Sequence, residues 1–199
     1  YYIYKEYSEN SDLFILGDIQ VKGLAGAFFE TMSRSYIDVF TERKLLPHAI
    51  LQNMNHFIIT RHADKSGMDM FICMRDKKAN QITIASAGHL TQYLFSFRMN
   101  KFIPLKIAGK MIGIDQDSEY NSRTYKYETG DLLILFSDGL HKDVNLKREH
   151  FDHNQLLSVI KRTAGREPLK IVEMTFKAFK EFIHHRIIKD DVTVIIIKL

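Results

Sequence analysis

Leu132-Leu133-Ile134-Leu135-Phe136-Ser137-Asp138-Gly139 sets an unbroken apolar run against an aspartate and a glycine. A strand with one wet face alternates polar and apolar residues, so a run without alternation calls for cover on both faces. The same pattern recurs near the two ends of the chain. Residues 13–16 form a short apolar strand that closes on Gly17-Asp18. Residues 192–199, with a Val-Ile-Ile-Ile core, read as a central strand introduced by Asp190-Asp191.

Helical spacing takes over between these strands. After a polar loop that closes at Gly23, Leu24, Phe28, Met32, Tyr36, Val39 and Phe40 recur at intervals of three and four, predicting one apolar stripe on a helix that runs to about Glu42. A second helix starts with Pro47 in its first turn and offers Ile50, Leu51, Met54, Phe57 and Ile58 for burial. The middle of the chain predicts short consecutive strands at 68–74, 81–85, 92–97 and 122–127, with 75–80 as a polar hairpin turn. Two further helices fit 153–164, stopped by Gly165, and 168 to about 185, the latter with Ile171, Val172, Thr175, Phe179, Phe182 and Ile183 on one face.

Consecutive strands imply antiparallel pairing, and strands covered on both faces imply stacked layers. The expected fold class is therefore α+β, an α-β-β-α sandwich of two mainly antiparallel sheets flanked by helix pairs. No repeat, low-complexity tract or Pro/Gly-rich linker interrupts the chain, so 1–199 reads as a single domain. It opens on Tyr1-Tyr2-Ile3-Tyr4, a strand-like composition without an initiator Met, which is the look of a C-terminal fragment of a longer protein.

Composition narrows the function classes. With 45% hydrophobic and 26% charged residues the chain has the balance of a globular protein that builds one sizeable core. Its net charge of +4 is scattered rather than gathered in a tract, so nucleic-acid binding is not demanded, although a basic domain suits acidic partners such as phosphoproteins. One cysteine, Cys73, excludes an intrachain disulfide and a multi-thiolate zinc site, and fits buried packing in a reducing compartment. With no apolar run near 18 residues and no leader pattern, the expectation is a cytoplasmic domain without membrane contact.

Three of the most apolar strands thus each carry an aspartate at one end: Asp18, Asp138 and Asp190. If the strands are neighbours, the carboxylates converge on one rim, where repulsion would raise their pKa values unless cations neutralised them. All-oxygen ligation suits magnesium or manganese better than zinc. Taken singly, each aspartate also suits a turn or helix cap beside its glycine.

Four blocks carry a family resemblance. Gly17-Asp18-Ile19 with Gly23 and Ala27, Ser86-Ala87-Gly88-His89, Gly130-Asp131-Leu132-Leu133 through Ser137-Asp138-Gly139, and Asp190-Asp191-Val192-Thr193 resemble, in order and spacing, the sporulation stage II protein E-like branch of the metal-dependent protein phosphatases. The resemblance covers nearly the whole chain. It implies that Asp18 bridges two Mn2+ or Mg2+ ions, that Ile19 offers a backbone carbonyl to one of them, and that Asp138 and Asp190 ligate the second. Asp191 is then a residue behind the ligands or a cap on the last strand. It further implies hydrolysis of phosphoserine or phosphothreonine by water activated between the two ions, without a covalent phosphoenzyme. The implied substrate is a phosphorylated regulatory protein such as an anti-sigma-factor antagonist, and the implied neighbour is an upstream sensory domain.

The chain also departs from that branch. Where the family reads Gly-Asp-Val-Ser-Gly-His-Gly, this sequence has Gly17-Asp18-Ile19-Gln20-Val21-Lys22-Gly23. Val21 is a poor occupant of positive φ, so the loop takes another path. Lys22 could attract phosphate or protonate the leaving alkoxide, or simply be a solvated loop lysine. The first acidic block, of which Tyr1-Tyr2 resembles the tail, would lie before residue 1 or be lost. His89 and Asp131 read as turn residues. The competing expectation is a phosphatase-like scaffold that has lost catalysis.

Overall fold

The apolar runs become strands, and the strands sort into two antiparallel sheets. A computed structural model describes residues 1–21, 23–61, 67–184 and 186–199. In chain order the elements are β1 (Tyr2–Ser8), β2 (Ser11–Ile19), α1 (Gly23–Glu42), α2 (Pro47–Arg61), β3 (Met68–Asp76), β4 (Gln81–Ala87), β5 (Gln92–Ser96), β6 (Lys101–Leu105), β7 (Arg123–Lys126), β8 (Leu132–Phe136), α3 (Gly139–Lys142), α4 (His153–Thr163), α5 (Pro168–Phe182) and β9 (Val194–Lys198). They divide into two compact units: Tyr1–Thr91 with Lys106–Tyr127, and Gln92–Leu105 with Glu128–Leu199.

The first unit holds a five-stranded sheet in the order β1-β2-β3-β4-β7. Helices α1 and α2 pack on it, α1 against β2 and α2 against β3 and β4. Leu13, Ile15, Ile37, Ile50, Leu51, Met54, Ile58, Met70 and Ile72 form its core. On the other face of β2, Phe14 and Leu16 are buried as well, which is why the run from 13 to 16 does not alternate. The ladder from β2 to β3 is unbroken from Ser11↔Asp76 to Ile19↔Met68, so every side chain at the strand end has a defined partner.

One face was misassigned by spacing alone. In α1 the buried positions are Phe29, Ser33, Ile37 and Phe40, whereas Leu24, Phe28 and Val39 of the predicted stripe are exposed. Two apolar stripes run down this helix, and the sheet takes the one that carries Ser33. Met32 and Tyr36 lie between them, half-buried at the core's edge.

The second unit holds a four-stranded sheet, β6-β5-β8-β9. All five residues of β8 are buried, as their continuous apolarity predicts. β9 is not central, as its composition suggested: among the described residues it stands at the edge of its sheet and pairs with β8 alone, while α5 covers it. β6 and α3 were not anticipated. Pro104 in β6 faces Tyr93, and the strand takes an edge position, where a missing N–H costs no ladder bond on the open side. α4 begins with a full capping box, Asp152 accepting from Gln155 N while the Gln155 side chain accepts from Asp152 N. α5 buries Ile171, Thr175 and Phe179 and ends at Phe182, and residue 185 lies outside the described set. Among the described residues no helix is long and apolar enough to cross a membrane.

Candidate metal centre

Asp138 and Asp190 come together in the second unit because the β8–β9 ladder continues past its last strand pair, Phe136↔Val194. Ser137 N donates to Thr193 O at 3.0 Å, Thr193 N donates to Ser137 Oγ at 2.9 Å, and that hydroxyl donates to Asp191 O at 3.3 Å. The next residue must be small. A Cβ on Gly139 would lie 2.0 Å from Asp191 O, so glycine is what lets the 138–139 and 190–191 segments close on each other.

Asp138 occupies the cap position of α3, yet its side chain makes no capping hydrogen bond. Its carboxylate is turned instead to Lys142, with Oδ2 3.0 Å from Nζ. Asp190 Oδ2 lies 2.5 Å from the same Nζ. The three side chains are 42%, 36% and 44% exposed, so the cluster is at a rim, open to solutes. Burial alone would push the Lys142 ammonium down, but hydrogen bonds from it to Asp190 and Asp138, and their charges, hold its pKa well above the ordinary lysine value. Two carboxylates therefore already converge on one cationic atom. That is the donor chemistry a hard divalent ion uses, and the residues fit it.

Asp18 and Ile19 end β2 in the first unit. Asp18 faces Asp69 directly across the β2–β3 ladder, and Ile19 faces Met68. Asp69 sits under the Ala87-Gly88-His89 turn: Gly88 has φ +72°, and a Cβ there would lie 2.1 Å from Asp69 Oδ1. Gln20 Nε2 approaches Asp69 Oδ2 at 3.5 Å. Tyr1 closes this corner from β1's side, its N-terminal amine donating to Gly17 O at 2.9 Å and its hydroxyl to Met68 Sδ at 3.1 Å. Lys22 lies outside the described residues. Val21 is not among the positive-φ residues; that conformation falls on Gly23, at φ +70°.

Sequence reasoning missed Lys142 and Asp69. Lys142 stands four residues after Asp138, the spacing of a helical ion pair, and a helix after β8 would have exposed it. Asp69 carries no local signal. Asp131 does turn out to be a turn residue: buried, it accepts from Phe97 N at 2.9 Å and Glu128 N at 3.0 Å. Among the described residues, no three His, Cys, Asp or Glu side chains of either unit are gathered as a metal-binding group.

The family model described as stage II sporulation protein E (SpoIIE) matches residues 8–199. The chain belongs to that family. It is 28% identical over its whole length to the phosphoserine phosphatase RsbU of Bacillus subtilis (strain 168), and 22% identical over 73% of its length to protein IcfG of Synechocystis sp.. The chain spans 58% of the RsbU sequence and 27% of the IcfG sequence. Among solved structures it shares its fold with the SiaA-PP2C domain of Pseudomonas aeruginosa, at TM-score 0.86 and 20% identity over all of this chain and 79% of that one. RsbX in complex with magnesium matches at TM-score 0.70 and 20% identity, over 98% of this chain and 84% of that one. The chain is thus a SpoIIE-family domain with two antiparallel sheets and the fold of the SiaA-PP2C domain.

Proposed function

We propose that this SpoIIE-family domain hydrolyses phosphoserine or phosphothreonine in a protein with the help of two Mn2+ or Mg2+ ions, for which Asp18, the Ile19 carbonyl, Asp138 and Asp190 are the ligands. The observation that carries the reading is the convergence of Asp138 and Asp190 on one cationic atom, at a rim, with the turn geometry of Gly139 to hold them there. When bound, such ions supply Lewis acidity that makes water a nucleophile at neutral pH and offsets charge on the phosphoryl oxygens. The chain's own part is positional. Ser137 and Gly139 hold the two carboxylates in register, and the β2–β3 ladder fixes Asp18. The β1–β2 register pairs Tyr2 with Leu16, so an acid encoded directly before Tyr1 would stand across from Asp18 and complete the family's first acidic block.

The likeness to RsbU supports a phosphorylated regulatory protein of the partner-switching type as substrate, an anti-sigma-factor antagonist among them, in the cytoplasm. An upstream sensory domain fits a chain that spans 58% of that relative. Lys22 is proposed as a phosphate-facing cation; Lys22→Ala would lower phosphoprotein turnover at least tenfold or so, and a loss below about twofold would return it to a solvated loop role. One observation favours the second reading, a scaffold without catalysis: a cation of the chain itself, Lys142, bridges Asp138 and Asp190. Manganese-dependent phosphate release from a phosphoserine protein separates the two. Release that needs manganese supports the enzyme, and none from any phosphoserine or phosphothreonine protein supports the scaffold.

A further inference from the structure

Lys142 is held in place by more than the helix it ends. An i,i+4 ion pair on α3 would involve Asp138 alone. Here Asp190, from the far end of the chain, meets the same Nζ at 2.5 Å, closer than the 3.0 Å to Asp138. The ammonium thus stands between both carboxylates, where a metal ion drawing on the two would have to stand.

We propose that Lys142 is a tethered competitor of the divalent ion at the Asp138–Asp190 pair, so that metal enters only by displacing the ammonium. The inference rests on the reading of these two aspartates as metal ligands. Charge explains why the lysine stays: its ammonium meets both carboxylates and offsets part of their mutual repulsion. Charge also explains why the lysine can be replaced. A divalent ion brings two charges where the ammonium brings one, and it accepts more oxygen ligands than an ammonium can bond. The exit is open as well. The side chain is 44% exposed on a flexible four-carbon stem, so the head can swing into water still protonated and no proton has to be moved. The consequence is a metal affinity lower than the bare carboxylates would give, and a metal-free state that does not spring apart.

The test titrates Mn2+ by calorimetry into the full chain, into Lys142→Gln and into Lys142→Arg, with Asp138→Asn as control, and records thermal unfolding of each in chelator and in manganese. Lys142→Gln should bind manganese about tenfold more tightly, the scale of two partly exposed ion pairs that no longer have to be broken. It should also melt lower in chelator and gain more from manganese than the unaltered protein. Lys142→Arg keeps the charge and should stay within about threefold of the unaltered affinity. Equal or weaker manganese binding by Lys142→Gln, with the unaltered protein binding and Asp138→Asn not, overturns the competitor and leaves the metal site standing. No manganese binding by any of the four proteins overturns both.

Discussion

Asp12 and the Asp138–Asp190 pair are both carboxylate sites beside strands, with opposite exposure. Asp12, near the start of β2, is wholly buried and receives two cations: Arg75, its cross-strand partner in β3, whose Nε lies 2.8 Å away, and Lys77, whose Nζ lies 2.9 Å away. Tyr4 adds a hydroxyl at 3.3 Å. Burial alone would push its carboxyl up, but hydrogen bonds from Lys77 and Arg75 outweigh burial and hold it below the usual carboxylate range. At the other site two half-exposed carboxylates share one lysine. A buried carboxylate held by two cations of its own chain is committed to the fold; half-exposed carboxylates that meet on one exposed ammonium keep the capacity to take a cation from solution.

The largest effect that would sharpen the contrast is at Asp12. Asp12→Ala leaves Arg75 and Lys77 without their buried partner and should cost about 3 kcal/mol in urea unfolding, as when one member of a buried pair is removed. Its folded pKa is depressed, so its contribution is complete above the unfolded value near 4 and is lost as pH falls through the folded one. Stability of the unaltered protein should therefore drop below about pH 4, and the Asp12→Ala variant should lack that part of the drop. An unchanged urea midpoint in Asp12→Ala would break the comparison.

Next comes the turn that brings the other pair together. Gly139→Ala drives a Cβ toward Asp191 O, a backbone atom that cannot swing aside. It should cost about 2 kcal/mol and weaken manganese binding at the same time. A variant that loses stability but keeps its manganese affinity would show that the close approach serves packing and not the carboxylates.

These sites were unevenly legible in the sequence. β8 was readable to the residue, because an apolar run with no alternation has few other uses. The stripe of α1 was not. Leu24 and Phe28 recur as regularly as Phe29, Ile37 and Phe40, and only packing on β2 decides between them. β9's composition says buried and apolar but cannot say edge or centre, since α5 covers it as another strand would. Asp138 and Asp190 stood out as strand-end acids. Lys142 did not, for its helix of four residues is too short to show a period, and its second partner lies 48 residues further on. Asp69 depends wholly on the β2–β3 register, which no local pattern encodes.

The smallest stability effect, and the sharpest contrast with Asp12, belongs to Asp138. In chelator, Asp138→Asn should change unfolding free energy by no more than about 0.5 kcal/mol, because a partly exposed ion pair contributes little and Asp190 still holds Lys142. Calorimetry should nonetheless find manganese affinity abolished or greatly weakened at one site. A loss of stability as large as that of Asp12→Ala would mean that both carboxylate sites serve the fold.

The central claim, a metal-dependent phosphoprotein phosphatase, is tested most directly at Asp18. The measurement is phosphate released from a phosphoserine protein by the full chain and by Asp18→Asn, with and without manganese, alongside thermal unfolding of both. Release that requires manganese, vanishes in Asp18→Asn and leaves the melting temperature nearly unchanged is the predicted result. Release that persists in Asp18→Asn, or that is indifferent to manganese in the unaltered protein, would contradict it.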